Sequence, residues 1–166
     1  MRILGIDPGL ATVGFAILDY FEEEKNLIEY GVITTSAKTP KTHRLKEIHN
    51  DISAILGEYK PDICAIEQIF FSKNVTTGIQ VSESRGVILL ALNEANVPLQ
   101  EFSPSSLKRS LTGNGNADKQ MIQKMVMLEL KLQEIPKPDD AADALSLALA
   151  LCSELRYHQI ENKLPT

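Results

Sequence analysis

The sequence of 166 residues predicts an α/β domain in which a three-stranded antiparallel meander leads into alternating helices and parallel strands. Three observations carry this. Residues 3–35 hold three strand-forming runs joined by short connections, which suits antiparallel pairing. Beyond Thr42 the apolar residues switch to helical spacing. Two short strand-like runs, Ile63–Ile66 and Val97–Phe102, then fall between the helical stretches.

In chain order, Ile3, Leu4 and Ile6 form a buried strand, and Gly5 within it marks a place where another backbone comes close. Asp7-Pro8-Gly9 ends that strand in a tight turn, and Val13, Phe15 and Ile17 alternate with smaller residues along the second. Taken alone, Asp7 reads as turn chemistry. Glu22 to Asn26 is a solvated turn, Leu27–Thr35 the third strand, and Ser36 to Thr42 a polar loop. Leu45, Ile48, Ile52, Ile55 and Leu56 recur at helical spacing, predicting an amphipathic helix that ends near Gly57. After the Lys60-Pro61-Asp62 turn, the run Ile63-Cys64-Ala65-Ile66 ends on Glu67. A second carboxylate is thereby expected at the carboxyl end of a strand.

Gln68 to Thr77 is an irregular segment leading into a helix that runs to Asn96, with Gly78 and Gly86 expected at close-packed points. By default Phe70 and Phe71 in that segment are core residues. Pro98 cannot donate to a ladder, so Val97–Phe102 belongs near a sheet edge. Ser103 as cap and Pro104 in the first turn open a short helix carrying Lys108 and Arg109. Thr112 to Asn116 breaks it, and Met121, Ile122, Met125, Leu128 and Leu132 mark the next helix. Lys119 sits in that helix's first turn, the wrong end of the dipole for a cation. Either a nearby phosphate or simple solvation accounts for it.

Ile135 to Pro138 halts the chain before Asp139-Asp140-Ala141-Ala142-Asp143, which opens a helix expected to run to about Leu155. Asp139 or Asp140 can serve as a cap. Asp140 and Asp143 share a face of this helix, which is apolar nearly all round and so belongs against the sheet. Residues 1–156 are expected to form one domain and 157–166 a frayed polar tail.

The net charge of −5 argues mildly against nucleic acid as a partner. Local distribution qualifies that, because Lys108, Arg109, Lys119 and Lys124 surround the Gly-rich loop while acids crowd at Glu22–Glu24. Cys64 and Cys152 lie in apolar runs and are expected as core thiols in a reducing compartment. No apolar run approaches the ~20 residues needed to cross a bilayer, and the first strand begins without a charged and apolar leader, so a cytoplasmic protein is expected.

Asp7, Glu67, Asp140 and Asp143 are thus four acids at two strand ends and one helix start. Such a cluster stays ionised at close range only if cations balance it. Oxygen donors without Cys or His point to magnesium, with manganese able to substitute, rather than zinc. Two ions per site would suit phosphodiester hydrolysis.

The motifs Gly5-Ile6-Asp7-Pro8-Gly9, Ala65-Ile66-Glu67-Gln68-Ile69-Phe70, Ser84-Arg85-Gly86 and Asp140-Ala141-Ala142-Asp143-Ala144 together resemble those of RuvC-type Holliday junction resolvases, in the ribonuclease H-like superfamily. The resemblance spans residues 3 to about 155. It implies a mixed five-stranded sheet, the meander plus two parallel strands, with helices on both faces. It further implies a homodimer that cuts two strands of a four-way DNA junction with magnesium, leaving 5′-phosphate and 3′-hydroxyl ends, alongside a branch-migration helicase. The catalytic, metal-holding acids become Asp7, Glu67, Asp140 and Asp143. Phe70 becomes a base-stacking DNA contact, and Lys108 and Lys119 basic residues of the site. Lys73 and Arg109 join them as candidate DNA contacts, and Arg85 is either a phosphate contact or a helix ion pair. The helix from Thr76 to Asn96 is the candidate dimer interface.

Two other readings remain at this level. One is a ribonuclease H-like nuclease acting on structured RNA, and the other a junction-binding protein without catalysis. An actin-like nucleotide-binding fragment also opens with a strand, an Asp and a Gly turn, but it needs a second lobe for which 166 residues leave no room.

Overall fold

The computed structural model describes residues 1–69 and 75–161. Three strands come first: β1 (Arg2–Asp7), β2 (Thr12–Phe21) and β3 (Glu24–Thr34). They are followed by α1 (Lys41–Tyr59), β4 (Ile63–Glu67), α2 (Val75–Glu94), β5 (Leu99–Phe102), α3 (Pro104–Thr112), α4 (Lys119–Glu129) and α5 (Asp139–Glu161). The sheet order is β3-β2-β1-β4-β5, with β1–β2 and β2–β3 antiparallel and β1–β4 and β4–β5 parallel. The mixed sheet expected from the sequence is therefore present, and β5 lies at its edge.

Strand alternation divides the core. Leu4, Ile6, Val13, Ile17, Cys64 and Ile66 pack with α1 and α2 on one face. Ile3, Ala16, Leu18, Ala65 and Phe102 pack with α5 on the other. Outside α5 lie α3 and α4, so α5 is covered on both sides and residues from Ala141 to Cys152 are almost all buried. Both cysteines are buried free thiols.

Glycine explains how α5 comes so near the sheet. A Cβ on Gly5 would overlap the Ala144 carbonyl oxygen, and one on Gly14 would overlap the Asp140 carbonyl oxygen. The close backbone approach expected at Gly5 is thus made by α5, and Gly14 repeats it on the neighbouring strand.

Some local expectations are corrected. Gly57 lies inside α1, which stops instead at Lys60 in the left-handed conformation (φ 48°), its N–H bonded to the Leu56 carbonyl. The β2–β3 turn is tighter than expected, with Glu22 and Glu23 both at positive φ, as a two-residue hairpin of this hand requires. In α4 the buried stripe is Ile122 and Val126, continued by Leu130, whereas Met121 and Leu128 are exposed. Gly86 faces open space, not a packed neighbour. Helix α5 continues to Glu161, past the stop expected near Leu155.

Candidate active site

Asp7 closes β1 and Glu67 closes β4, and these neighbouring strands are parallel, so both acids stand at carboxyl ends on one edge of the sheet. Alternation also sets their side: Ile3, Gly5 and Asp7 share the face beneath α5, as do Ala65 and Glu67. Asp7 pairs in register with Gly14, over which the first turn of α5 rests. That contact carries Asp140 and Asp143 toward the same point.

The result is a cleft of about 210 Å3 walled by Asp7, Glu67 and Asp143, with Lys108 and Lys119 beside them. Leu107, Ile122 and Leu147 supply an apolar floor. Asp140 does not line the cleft, yet its charge reaches both Asp7 and Asp143. Burial first, then repulsion from Asp143, Glu67 and Asp140, pushes the Asp7 carboxyl up to about 8. Glu67 is raised by burial and by Asp143, with Lys108 opposing. Asp143 is raised chiefly by burial, and the Lys119 ammonium opposes the rise.

Lys119 is anchored between two acids, 3.0 Å from Asp139 and 3.3 Å from Asp143. Its position at the helix N-terminus is thereby balanced within the protein. Asp139, read from sequence as a possible cap, is Lys119's nearer partner. Only its place one turn before Asp143 on the helix hinted at this.

Among the described residues, no three acids already close round one point in the manner of a formed metal site. Lys119 pairs with Asp143 there at 3.3 Å. The donor set nevertheless fits a hard divalent cation: it is all oxygen, partly buried, and costly to ionise unless compensated.

The other expected site residues divide. Arg109 is exposed and lies outside the cleft lining. Arg85 is turned into the fold: its Nε donates to the Glu67 carbonyl at 3.2 Å, and its guanidinium pairs with Glu101 of β5. With only 14% of its side chain exposed, it makes an ion pair inside the fold, to a strand residue and not to one of its own helix. Phe70 and Lys73, with Phe71, lie outside the described residues.

A mixed sheet in this order, with acids at the ends of β1 and β4 and on the helix laid across them, defines a ribonuclease H-like fold with an acidic cleft. Comparison with known proteins narrows this. A family model described as "Crossover junction endodeoxyribonuclease RuvC" matches residues 3–152. The chain belongs to the RuvC family. It is 47% identical over 157 residues to the crossover junction endodeoxyribonuclease RuvC of Thermosipho melanesiensis, covering 95% of this chain and 100% of that one. It is 48% identical over 149 residues to the protein of the same name from Finegoldia magna, covering 90% and 91%. Among solved structures, Thermus thermophilus RuvC matches with a TM-score of 0.89 at 31% identity, covering 95% of this chain and 97% of that one. The same protein in complex with a Holliday junction substrate matches with the same score and identity, covering 95% and 96%. The yeast mitochondrial Holliday junction resolvase, at 15% identity and a TM-score of 0.69, shares the fold.

Proposed function

We propose that this chain is a structure-selective endodeoxyribonuclease that resolves four-way DNA junctions by paired, magnesium-dependent hydrolysis, leaving 5′-phosphate and 3′-hydroxyl ends. The observation that carries the reading is the convergence of Asp7, Glu67 and Asp143 on one cleft beside Lys108 and Lys119. Membership of the RuvC family supports it.

Asp7, Glu67, Asp140 and Asp143 would hold the magnesium, or manganese in its place. When bound, the cation supplies activation of the attacking water and neutralises charge on the phosphodiester. The chain's own residues do the rest. Burial and the neighbouring acids hold the Asp7 carboxyl up at about 8, so it would release its proton on taking a cation. Lys108 beside Glu67 and Lys119 beside Asp143 face the anionic phosphate, and the pair to Asp139 holds Lys119 ready without reorganisation. The apolar floor keeps bulk water from weakening these interactions. Phe70, Lys73 and Arg109 remain the proposed outer DNA contacts.

The direct test incubates the chain with a synthetic four-way junction, an unbranched duplex and a structured RNA, with magnesium or EDTA. Junction-only cleavage that requires magnesium is expected, with nicks a ligase can seal. Cleavage of RNA alone would favour the RNA-processing alternative, and binding without product a non-catalytic role. Lys119→Ala is expected to slow single-turnover cleavage about 10²-fold with junction affinity nearly unchanged. An unchanged rate would remove Lys119 from the reaction.

A homodimer is part of the proposal, because a junction is nearly two-fold symmetric and needs paired nicks. What supports α2 as the interface is its exposed apolar face, with Ile79 and Leu90 about half exposed and Gly86 open between them. Leu90→Glu should convert a dimer to a monomer in sedimentation and replace paired by single nicks; a variant still dimeric would move the interface elsewhere. A branch-migration helicase is the partner this role calls for. Among the described residues no helix is long and apolar enough to cross a membrane, and action on DNA suits the cytoplasm.

A further inference from the structure

The β1–β4 ladder runs from Ile3–Ile63 to Ile6–Ile66 and ends there, one residue short of Asp7 and Glu67. Each acid is paired on its outer side, Asp7 with Gly14 and Glu67 with Phe102, while no register pair joins Asp7 to Glu67. Past that last pair the sheet no longer joins the two acids directly, and the backbone carbonyls there take donors from α2.

Consecutive residues of α2 reach both ends. Ser84 is fully buried, and its hydroxyl donates at 2.8 Å to the carbonyl of Gly9, within the Asp7-Pro8-Gly9 turn. Arg85 donates from Nε at 3.2 Å to the carbonyl of Glu67 itself, and Glu101 of β5 holds its guanidinium. One side chain grips the β1 end and the next grips the β4 end, both from a single rigid helix.

We propose that Ser84 and Arg85 are positioning residues: they form a two-point clamp through which the seat of α2 sets the distance between Asp7 and Glu67. The proposal rests on the metal-dependent nuclease reading above. Neither residue touches substrate in this role. The clamp makes the cleft sensitive to whatever α2 binds, since the same helix carries the exposed Ile79, Gly86 and Leu90 face. A partner or a junction that shifts α2 would change the spacing of the acids without contacting them.

Ser84→Ala removes one hydroxyl and keeps the packing, and Arg85→Lys keeps the charge facing Glu101 while losing the Nε donor. Four quantities are measured on each: Mn2+ affinity by electron paramagnetic resonance without DNA, the metal dependence of single-turnover cleavage, junction affinity in EDTA, and melting temperature. Groups that orient ligands from outside the coordination shell typically change metal affinity 10–100-fold, so each variant should bind Mn2+ about 10-fold more weakly. The metal concentration for half-maximal cleavage should rise in step, excess metal should recover most of the rate, and junction affinity should stay constant. Lower melting temperatures with unshifted Mn2+ affinity would overturn the clamp, leaving only helix packing. Lost junction affinity in Arg85→Lys with intact metal affinity would overturn it in favour of a phosphate contact. A wild-type chain that neither binds Mn2+ nor cuts a junction overturns the nuclease reading together with the clamp, whereas an active wild type with unshifted variants overturns the clamp alone.

Discussion

Replacing Asp7 by asparagine will abolish junction cleavage, leave junction binding intact, and raise the melting temperature of the protein in EDTA. Cleavage is lost with a cation-holding carboxylate, and the gain in stability follows from that carboxylate's surroundings. Asp7 sits where burial and three neighbouring acids resist its ionisation, which lifts its carboxyl from 3.8 to about 8. A carboxyl raised on folding adds stability that is fully present below its unfolded value of 3.8 and is lost as pH rises through about 8. Without a divalent cation, the wild-type domain should therefore lose stability across this window. An asparagine side chain cannot ionise, so the Asp7→Asn variant should flatten that part of the curve. At pH 8 the variant should be more stable by at least ~1 kcal/mol, a rise of about 2–4 °C for a domain of this size. The same displacement means that metal binding at pH 7 should release protons, detectable by calorimetry in buffers of different ionisation heat. A variant that still cuts junctions would remove Asp7 from the mechanism, and parallel melting curves would show that it is already ionised.

Gly14→Ala will damage both stability and catalysis, although it adds only a methyl group. Its new Cβ would meet the Asp140 carbonyl oxygen of α5, and backbone cannot swing aside like a long side chain. Either α5 lifts or β2 sinks, at a cost of about 1–3 kcal/mol. Because Asp140 and Asp143 ride on that turn, a shift near 1 Å should also slow cleavage about 10²-fold. Gly57→Ala is the matching control: that glycine is exposed within α1 and a Cβ there meets nothing within 4 Å, so the change should stabilise by about 0.5–1 kcal/mol. Wild-type activity in Gly14→Ala would mean that the helix–sheet spacing does not control the site.

Much of the fold was legible because its signals are local. Period-two alternation in β2, helical spacing in α1, Pro98 at an edge, and the Ser103-Pro104 helix start all act within a few residues. Asp7 and Glu67 were legible as carboxylates closing apolar strands, and Asp143 as the acid that shares a helix face with Asp140; it was their combination that marked a site. What escaped depends on contacts distant in sequence. Gly14 looked like a small residue in an alternating strand until the turn carrying Asp140 settled on it. Arg85 offered two partners, and only the position of β5 brings Glu101 to it. The stripe of α4 was misphased because its apolar residues occupy more than one face, and α5 covers just the face holding Ile122 and Val126. Lys60 carries no residue-type signal for a left-handed cap, so Gly57 drew the expectation instead.

Helix α5 is the last element among the described residues and reaches the acids only by settling into the hollow that Gly5 and Gly14 leave. Asp7 and Glu67 come from the first half of the chain and Asp143 from α5, so the acidic cleft closes only when elements far apart in sequence have packed together.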